Sequence, residues 1–353
     1  MNKRLFPILI LILALMLPMG VSATETAGQE KRIEGYYEIN AIPGSWNPLE
    51  ECTPEAELLL SLTADRLYQL SADGKTLTAS LAAELPRDVT AEFAGSYGIP
   101  TNAERGYAFR ITVEPTACWE DGTAITAGDL VFTLNQLIDR QILDIPLANL
   151  EAFRTGAEKP NGEIVPLRDA GFSSLEGAEG AGYTCFYVDT GKFWGLDSGW
   201  VSITDRTRLK DTAIPSGITE MYISGAYLYD RYLRSGASLS HYQAEFVGIC
   251  PSSELVRRED IGLAAENEGS FLLILDTPTT AEGLALKLGE MIPLRESKFA
   301  ANYATSPATY WASGFWRIAS VTAEAVELVP NEHYHGKQAG IEADRIYLKM
   351  IGT

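Results

Sequence analysis

Apolar and polar positions alternate most cleanly just after residue 106. Tyr107, Phe109, Ile111 and Val113 fall on one side, and Ala108, Arg110, Thr112 and Glu114 on the other. That period of two predicts a half-buried strand. An earlier apolar-rich stretch, with Ile33, Tyr36, Tyr37 and Ile39, predicts an extended segment over 32–40, closed by the turn signal Pro43-Gly44. Thr53-Pro54-Glu55 then has the chemistry of a helix start: an N-cap hydroxyl, proline at the first helical position and an acid in the first turn. Leu58, Leu59, Leu62 and Leu67 carry the predicted helix onward. Asp73-Gly74, between Leu67-Tyr68-Gln69-Leu70 and Thr76-Leu77, predicts a hairpin. Asp121-Gly122 marks another turn, and Thr126 with Asp129 three residues later predicts a capped helix along Leu130, Leu134, Leu137 and Ile138.

Between about 158 and 259 the periodicity weakens and glycine and serine become common, with only 220–233 offering a helical or mixed pattern. Regularity returns with Phe271-Leu272-Leu273-Ile274-Leu275 as a buried strand, a helix over 280–291, and strands over 315–321, 325–329 and 345–351. The mixture of helices and strands predicts an α/β or α+β protein.

The N-terminus adds a destination. Met1-Asn2-Lys3-Arg4 is followed by an apolar run from Leu5 to about Met19 and then Val21-Ser22-Ala23, the three-part layout of a cleaved export signal. Its apolar run, interrupted by Pro7 and Pro18, is short of the ~20 residues that span a bilayer. Cleavage is expected after Ala23, with no cysteine there to take a lipid, so the mature chain is expected in the periplasm or outside the cell. The formal charge of −19 opposes binding to nucleic acid or anionic lipid. Cys52, Cys118, Cys185 and Cys250 allow one or two disulfides in an oxidising compartment. Their spacing contains no CxxC and leaves all three pairings open; Cys185 with Cys250 is preferred because both lie in the irregular middle segment.

Short catalytic signatures are missing: there is no GxSxG, P-loop, HExxH or glycine-rich dinucleotide fingerprint. His241, His333 and His335 are the only histidines. Glu332-His333-Tyr334-His335 could place two imidazoles on one strand face, but a polar turn after Val329-Pro330 is the simpler reading, so no metal and no cofactor are expected. Paired carboxylates such as Glu50-Glu51, Glu120-Asp121 and Glu259-Asp260 suit a solvated surface in a chain this acidic, while glycoside hydrolysis needs two at a defined separation. Six tryptophans and sixteen tyrosines supply rigid amphipathic surface. Trp119 and Trp316, beside predicted strands, are expected to be core.

Several of these segments, taken in order, carry a family resemblance. Tyr107-Ala108-Phe109-Arg110-Ile111 leads to Cys118-Trp119-Glu120-Asp121-Gly122-Thr123 and then Thr126-Ala127-Gly128-Asp129-Leu130. This succession resembles the extracellular solute-binding proteins of dipeptide and oligopeptide ABC importers (family 5 type), where a strand leads to Trp-x-Asp-Gly and a helix opening Thr-Ala-x-Asp. Ser45-Trp46-Asn47-Pro48-Leu49 and Ala72-Asp73-Gly74 with Leu81-Ala82 are similar to the family's early "NP", hairpin and "LA" segments. Phe271 to Pro278, Ala312-Ser313-Gly314-Phe315-Trp316 and Asn331-Glu332-His333-Tyr334-His335-Gly336 resemble later ones. In the last, Glu332 replaces the family's proline and His335 its tryptophan.

The resemblance implies an α/β clamshell of the periplasmic-binding-protein type II kind, here apparently truncated and lacking the second large lobe. It implies residues 24–50 and 266–345 in the first part of a ligand-binding lobe, 51–265 in a flanking lobe elaborated at about 175–258, and 346–353 at the start of a crossover. It implies a monomer that binds a peptide or other small solute and delivers it to an ABC permease, with no enzyme activity. Trp46, Trp311, Ser313, Gly314 and Tyr334 are the residues expected at the ligand. A secreted hydrolase using paired carboxylates, or a receptor-like ectodomain of the same fold, are the alternatives.

Overall fold

The structure is a computed structural model that describes residues 20–24, 32–71, 74–183, 185–189, 200–202, 244, 246–336 and 343–351. Most of the expected export signal, and the 220–233 segment, lie outside the described residues. The last four residues of the expected signal, with Thr24, form β1 (Gly20–Thr24), antiparallel to β2 (Arg32–Ile39).

Helix α1 (Pro54–Thr63) starts where the sequence places it, with the Thr53 side chain accepting from the Ala56 N–H at 3.3 Å. It does not continue to Leu67. Ala64 is extended, and the next N–H, that of Asp65, donates to Ser313 Oγ at 2.9 Å, so a tertiary contact takes the chain off the helical path. Strands β3 (Tyr68–Leu70) and β4 (Leu77–Ala79) form the expected hairpin, and β5 (Arg87–Asp88) pairs with β6 (Ala108–Thr112). Ala108 departs from the predicted alternation: it is buried in a small second cluster with Val89, Ile99, Ala148 and Ile274.

Helix α2 (Ala127–Asp139) opens with a complete capping box. The Asp129 N–H donates to Thr126 Oγ1 at 3.2 Å, and the Thr126 N–H donates back to Asp129 Oδ2 at 3.2 Å. After α3 (Leu150–Thr155) the weakly periodic region holds more order than its sequence pattern predicts. It contains β7 (Glu158–Asn161), β8 (Val165–Pro166), α4 (Leu175–Gly180), β9 (Cys185–Asp189), β10 (Trp200–Ser202), β11 (Val247–Cys250) and β12 (Ser252–Leu255). These strands are two to five residues long, too short to establish a period.

Strands β13 (Leu263–Asn267) and β14 (Ser270–Ile274) extend the sheet of β5 and β6 in the order β13-β14-β6-β5, and α2 packs on β13 and β14. Helix α5 (Ala281–Leu288), capped by Thr280, lies against β3 and β4 and ends before the predicted Met291 at Gly289, whose N–H bonds Ala285 O. Finally β15 (Trp316–Val321), β16 (Ala325–Pro330) and β17 (Arg345–Met350) build a meander. Strand β17 then pairs in parallel with β2, giving a five-stranded sheet of order β1-β2-β17-β16-β15. One apolar core runs from this sheet (Tyr37, Trp316, Leu348) to the β6–β14 sheet (Phe109, Ile111, Phe271) through Trp46, Leu59, Trp119 and Leu130. Trp119 and Trp316 are core, as expected.

Candidate functional site

Between the short 3₁₀ turn at Pro307–Thr309 and β15, residues 310–315 run as an irregular strip, and the resembling segments meet along it. Tyr310 Oη lies 2.9 Å from Thr63 Oγ1 at the end of α1. Ala312 O accepts from the Glu120 N–H at 2.9 Å. Ser313 Oγ accepts from the Asp65 N–H, and the Gly314 N–H donates to Thr63 O at 2.9 Å. Gly314 is glycine for want of space: a Cβ there would lie 2.9 Å from Thr63 C and 3.0 Å from its oxygen, both backbone atoms. On the far side Asn331 holds the strip twice, its Nδ2 donating to Gly314 O at 3.0 Å and its N–H to Phe315 O at 2.7 Å.

Asn331 also shapes the turn that follows β16. Its Oδ1 accepts from the His333 N–H at 3.0 Å and its carbonyl from the Tyr334 N–H at 3.1 Å, so the His-Tyr-His segment is a polar turn. Tyr334 packs edge-on against Phe315 and donates toward Asp65 Oδ2 at 3.4 Å. His333 lies against the Asp121-Gly122 turn, where a Cβ on Gly122 would sit 3.0 Å from its ring; with φ +80° the backbone there also requires glycine. Among the described residues no group of three or more His, Cys, Asp or Glu side chains gathers as a metal-binding cluster.

Two carboxylate environments flank the strip. Asp65 is buried under the β3–β4 hairpin and accepts from Ser80 Oγ at 2.7 and 2.8 Å, from the Arg66 N–H at 2.7 Å and from Gln69 Nε2. Burial pushes its pKa up, against those hydrogen bonds and the His335 ring, whose Nε2 is 3.8 Å away. His335 Nε2 also meets Ser80 O at 3.1 Å, while its Nδ1 is buried with no protein partner among the described residues.

The second environment is the pair Glu120-Asp121. Burial raises the half-buried Glu120 to about 7, opposed by a backbone hydrogen bond at Ala312 and by Arg317. Burial also acts to raise Asp121. It is outweighed there by Arg295, whose NH1 donates to Asp121 Oδ2 at 2.7 Å, and by Thr123, so that Asp121 falls to about 2. Arg295 is itself buried, with NH2 on Thr123 Oγ1 at 3.1 Å, and its Cζ lies 5.8 Å from the centroid of the Trp311 ring. Lys298 Nζ lies 6.0 Å from the same ring. Trp311 is thus a partly buried aromatic within cation–π reach of two cations.

The five residues expected at a ligand therefore divide by environment. Ser313 and Tyr334 bond Asp65, and Gly314 bonds Thr63 two residues before it. Trp311 stands on the other side of the strip with Arg295 and Glu120. Trp46 is 1% exposed, set edge-on to Tyr310 at 6.1 Å. Asp65 and Arg295 carry most of the polar geometry, and neither stood out in the sequence. Asp65 reads as one more polar residue in an amphipathic helix, and Arg295 as an ordinary surface base.

The molecule defined by these elements is a mixed α/β protein with a glycine-fitted strip between two sheets and a polar node on either side. No protein-family model and no curated protein matches the chain. Solved structures do, and they are peptide-binding proteins. The pheromone receptor PrgZ, described with its mode of peptide binding, is 13% identical with a TM-score of 0.47 over 91% of this chain and 43% of its own. OppA of Listeria monocytogenes, solved bound to peptide, is 14% identical with a TM-score of 0.45 over 90% and 42%. The murein tripeptide binding protein MppA of Escherichia coli is 16% identical with a TM-score of 0.45 over 92% and 43%. The chain spans about two fifths of the length of the structures it matches.

Proposed function

We propose that the chain is a solute-binding component of an ABC importer that captures a peptide or related small solute outside the cytoplasm for a membrane permease. One observation carries the reading: segments far apart in sequence, each resembling a family motif, converge on residues 310–315. The Trp-Glu-Asp-Gly turn bonds Ala312, the segment after α1 bonds Ser313 and Gly314, and the Asn331 turn bonds Gly314 and Phe315. Convergence of that kind supports a common architecture better than any one motif, since each motif alone is only a turn, a cap or a strand.

In this reading, residues 24–50 and 266–345 contribute one wall of a cleft and 51–265 flank it, and the chain acts as a monomer. Trp311 is the contact surface: its ring lies flat against an amide plane or apolar side chain, Lys298 attracts a ligand carboxylate, and Arg295, committed to Asp121 and Thr123, backs the ring. Ser313, Gly314 and Tyr334 hold the strip that presents it, and Trp46 backs that strip from the core. Binding drives closure of the lobes rather than chemistry.

Thermal unfolding of the purified chain with a panel of peptides, sugars and nickel complexes tests this. A ligand at 100 times its Kd adds about 2.7 kcal/mol, seen as a raised Tm, and Trp311→Ala, measured from its own lower unliganded Tm, removes the shift. A panel that produces no shift refutes the proposal.

A secreted hydrolase is the second reading: Glu120, half-buried and raised by burial, adjoins Asp121, which the Arg295 guanidinium at 2.7 Å holds low, an acid beside a charged partner. Turnover of a glycan panel that is lost in Glu120→Gln supports it, and a flat panel excludes it.

A further inference from the structure

The middle of the chain holds a constellation that the solute-binding reading does not use. Strands β9 and β11 pair antiparallel with Val247 opposite Val188, Gly248 opposite Tyr187, Ile249 opposite Phe186 and Cys250 opposite Cys185. Directly opposed residues in such a ladder project from the same face. Their Cα atoms are about 4.5 or 5.5 Å apart, depending on whether the pair is hydrogen-bonded. Both spacings fall inside the roughly 4.4–6.8 Å range of disulfides. We infer that Cys185 and Cys250 form a cross-strand disulfide in the exported protein.

The surroundings favour this pair. Two residues along the same face, a Cβ on Gly248 would lie 2.5 Å from Ile164 and 2.8 Å from the Trp200 ring, so the face is closed over by apolar groups beside the cysteines. Cys250 is fully buried and Cys185 partly so. The Cys250 thiol reaches the backbone carbonyls of Ser252 at 3.3 Å and Gly162 at 3.7 Å, and neither of the other two cysteines faces a cysteine across a ladder. Cys118 sits opposite Ala124, and the Cys52 thiol donates to Asn47 O at 3.5 Å. Burial, with Glu57 and Glu50, raises Cys52 to about 11, which leaves little thiolate to react.

The bond forms by exchange with an external disulfide. The Cys185 thiolate, on the more accessible side, attacks one sulfur of that disulfide and expels one thiolate. The Cys250 thiolate then attacks the Cys185 sulfur of the mixed disulfide and expels the second. Two electrons pass to the external disulfide, which leaves as two thiols carrying the two protons of Cys185 and Cys250. The closed loop encloses residues 186–249, tying the ends of the long middle segment to one ladder.

Incubation of the whole chain with oxidised glutathione, denaturation, alkylation of remaining thiols and peptide mapping give the readout. The expected result is a peptide joining Cys185 to Cys250, lighter by two hydrogens, with Cys52 and Cys118 alkylated. Reduction should lower the wild-type Tm by about 5 °C or more, given the long closed loop, and leave the Tm of a Cys185→Ser/Cys250→Ser variant unmoved. Four alkylated thiols after oxidation, or a peptide joining any other pair, overturns the inference. Because the mapping uses the unmodified protein, a variant that fails to fold leaves the test intact.

Discussion

Replacing Glu120 by glutamine keeps the shape of the side chain and removes its titration. In the folded protein Glu120 is raised from its ordinary value of 4.5 to about 7, burial being the largest cause. A raised pKa means that the folded state binds the proton more tightly than the unfolded state. The contribution is therefore fully present below about pH 4.5 and is lost as pH rises through 7. A shift of about 2.5 units corresponds to roughly 3.4 kcal/mol at most. Because the side chain is only half-buried and Arg317 and Arg295 are near, screening by solvent reduces this to about 1–2 kcal/mol. Glutamine is neutral throughout. Urea unfolding of both proteins from pH 4 to pH 8.5 should show Glu120→Gln gaining about 1–2 kcal/mol on wild type across that window, with the change centred between pH 5 and 7. A difference that stays constant with pH refutes the argument that burial raises this carboxyl.

The neighbouring Asp121→Asn should show the opposite sign. The lowered pKa stabilises wild type above about pH 4, and that advantage disappears as pH falls through 2, so unfolding midpoints of the two proteins should converge in acid. Gly314→Ala forces a methyl against the Thr63 backbone and should cost about 1–3 kcal/mol by denaturant titration, with weakened solute binding because the strip must shift. Thr126→Ala removes one half of the α2 capping box and should cost about 1 kcal/mol, read from the unfolding midpoint, with solute affinity unchanged.

Where an element's signal was local, the sequence made it legible. The Thr53-Pro54 and Thr126-Asp129 starts announced two helices because capping chemistry lies within four residues, and the alternation around Phe109 announced a strand because one face meets the core. Endings were harder to read. Nothing between Leu58 and Leu67 marks Thr63 as the last helical residue, since the contact that ends the helix comes from Ser313, on a distant segment. Strands β7 to β12 were missed for a related reason, as pieces of two to five residues acquire their pattern from partners. At the candidate site the glycines and the Trp-Glu-Asp-Gly turn were visible, but Asp65 and Arg295 were not. Their roles come from burial and from partners more than 170 residues away, which no spacing rule encodes.

The parallel pairing of β2 with β17 has a consequence for how the protein is made. The Ile33 N–H donates to Asp344, 311 residues further along the chain, and β2 has no central-sheet partner on that side until β17 has been synthesised. Closure over such a separation is slow and comes late. The early strand thus keeps this edge unpaired until the chain has been made as far as β17, and the central sheet can lock only then.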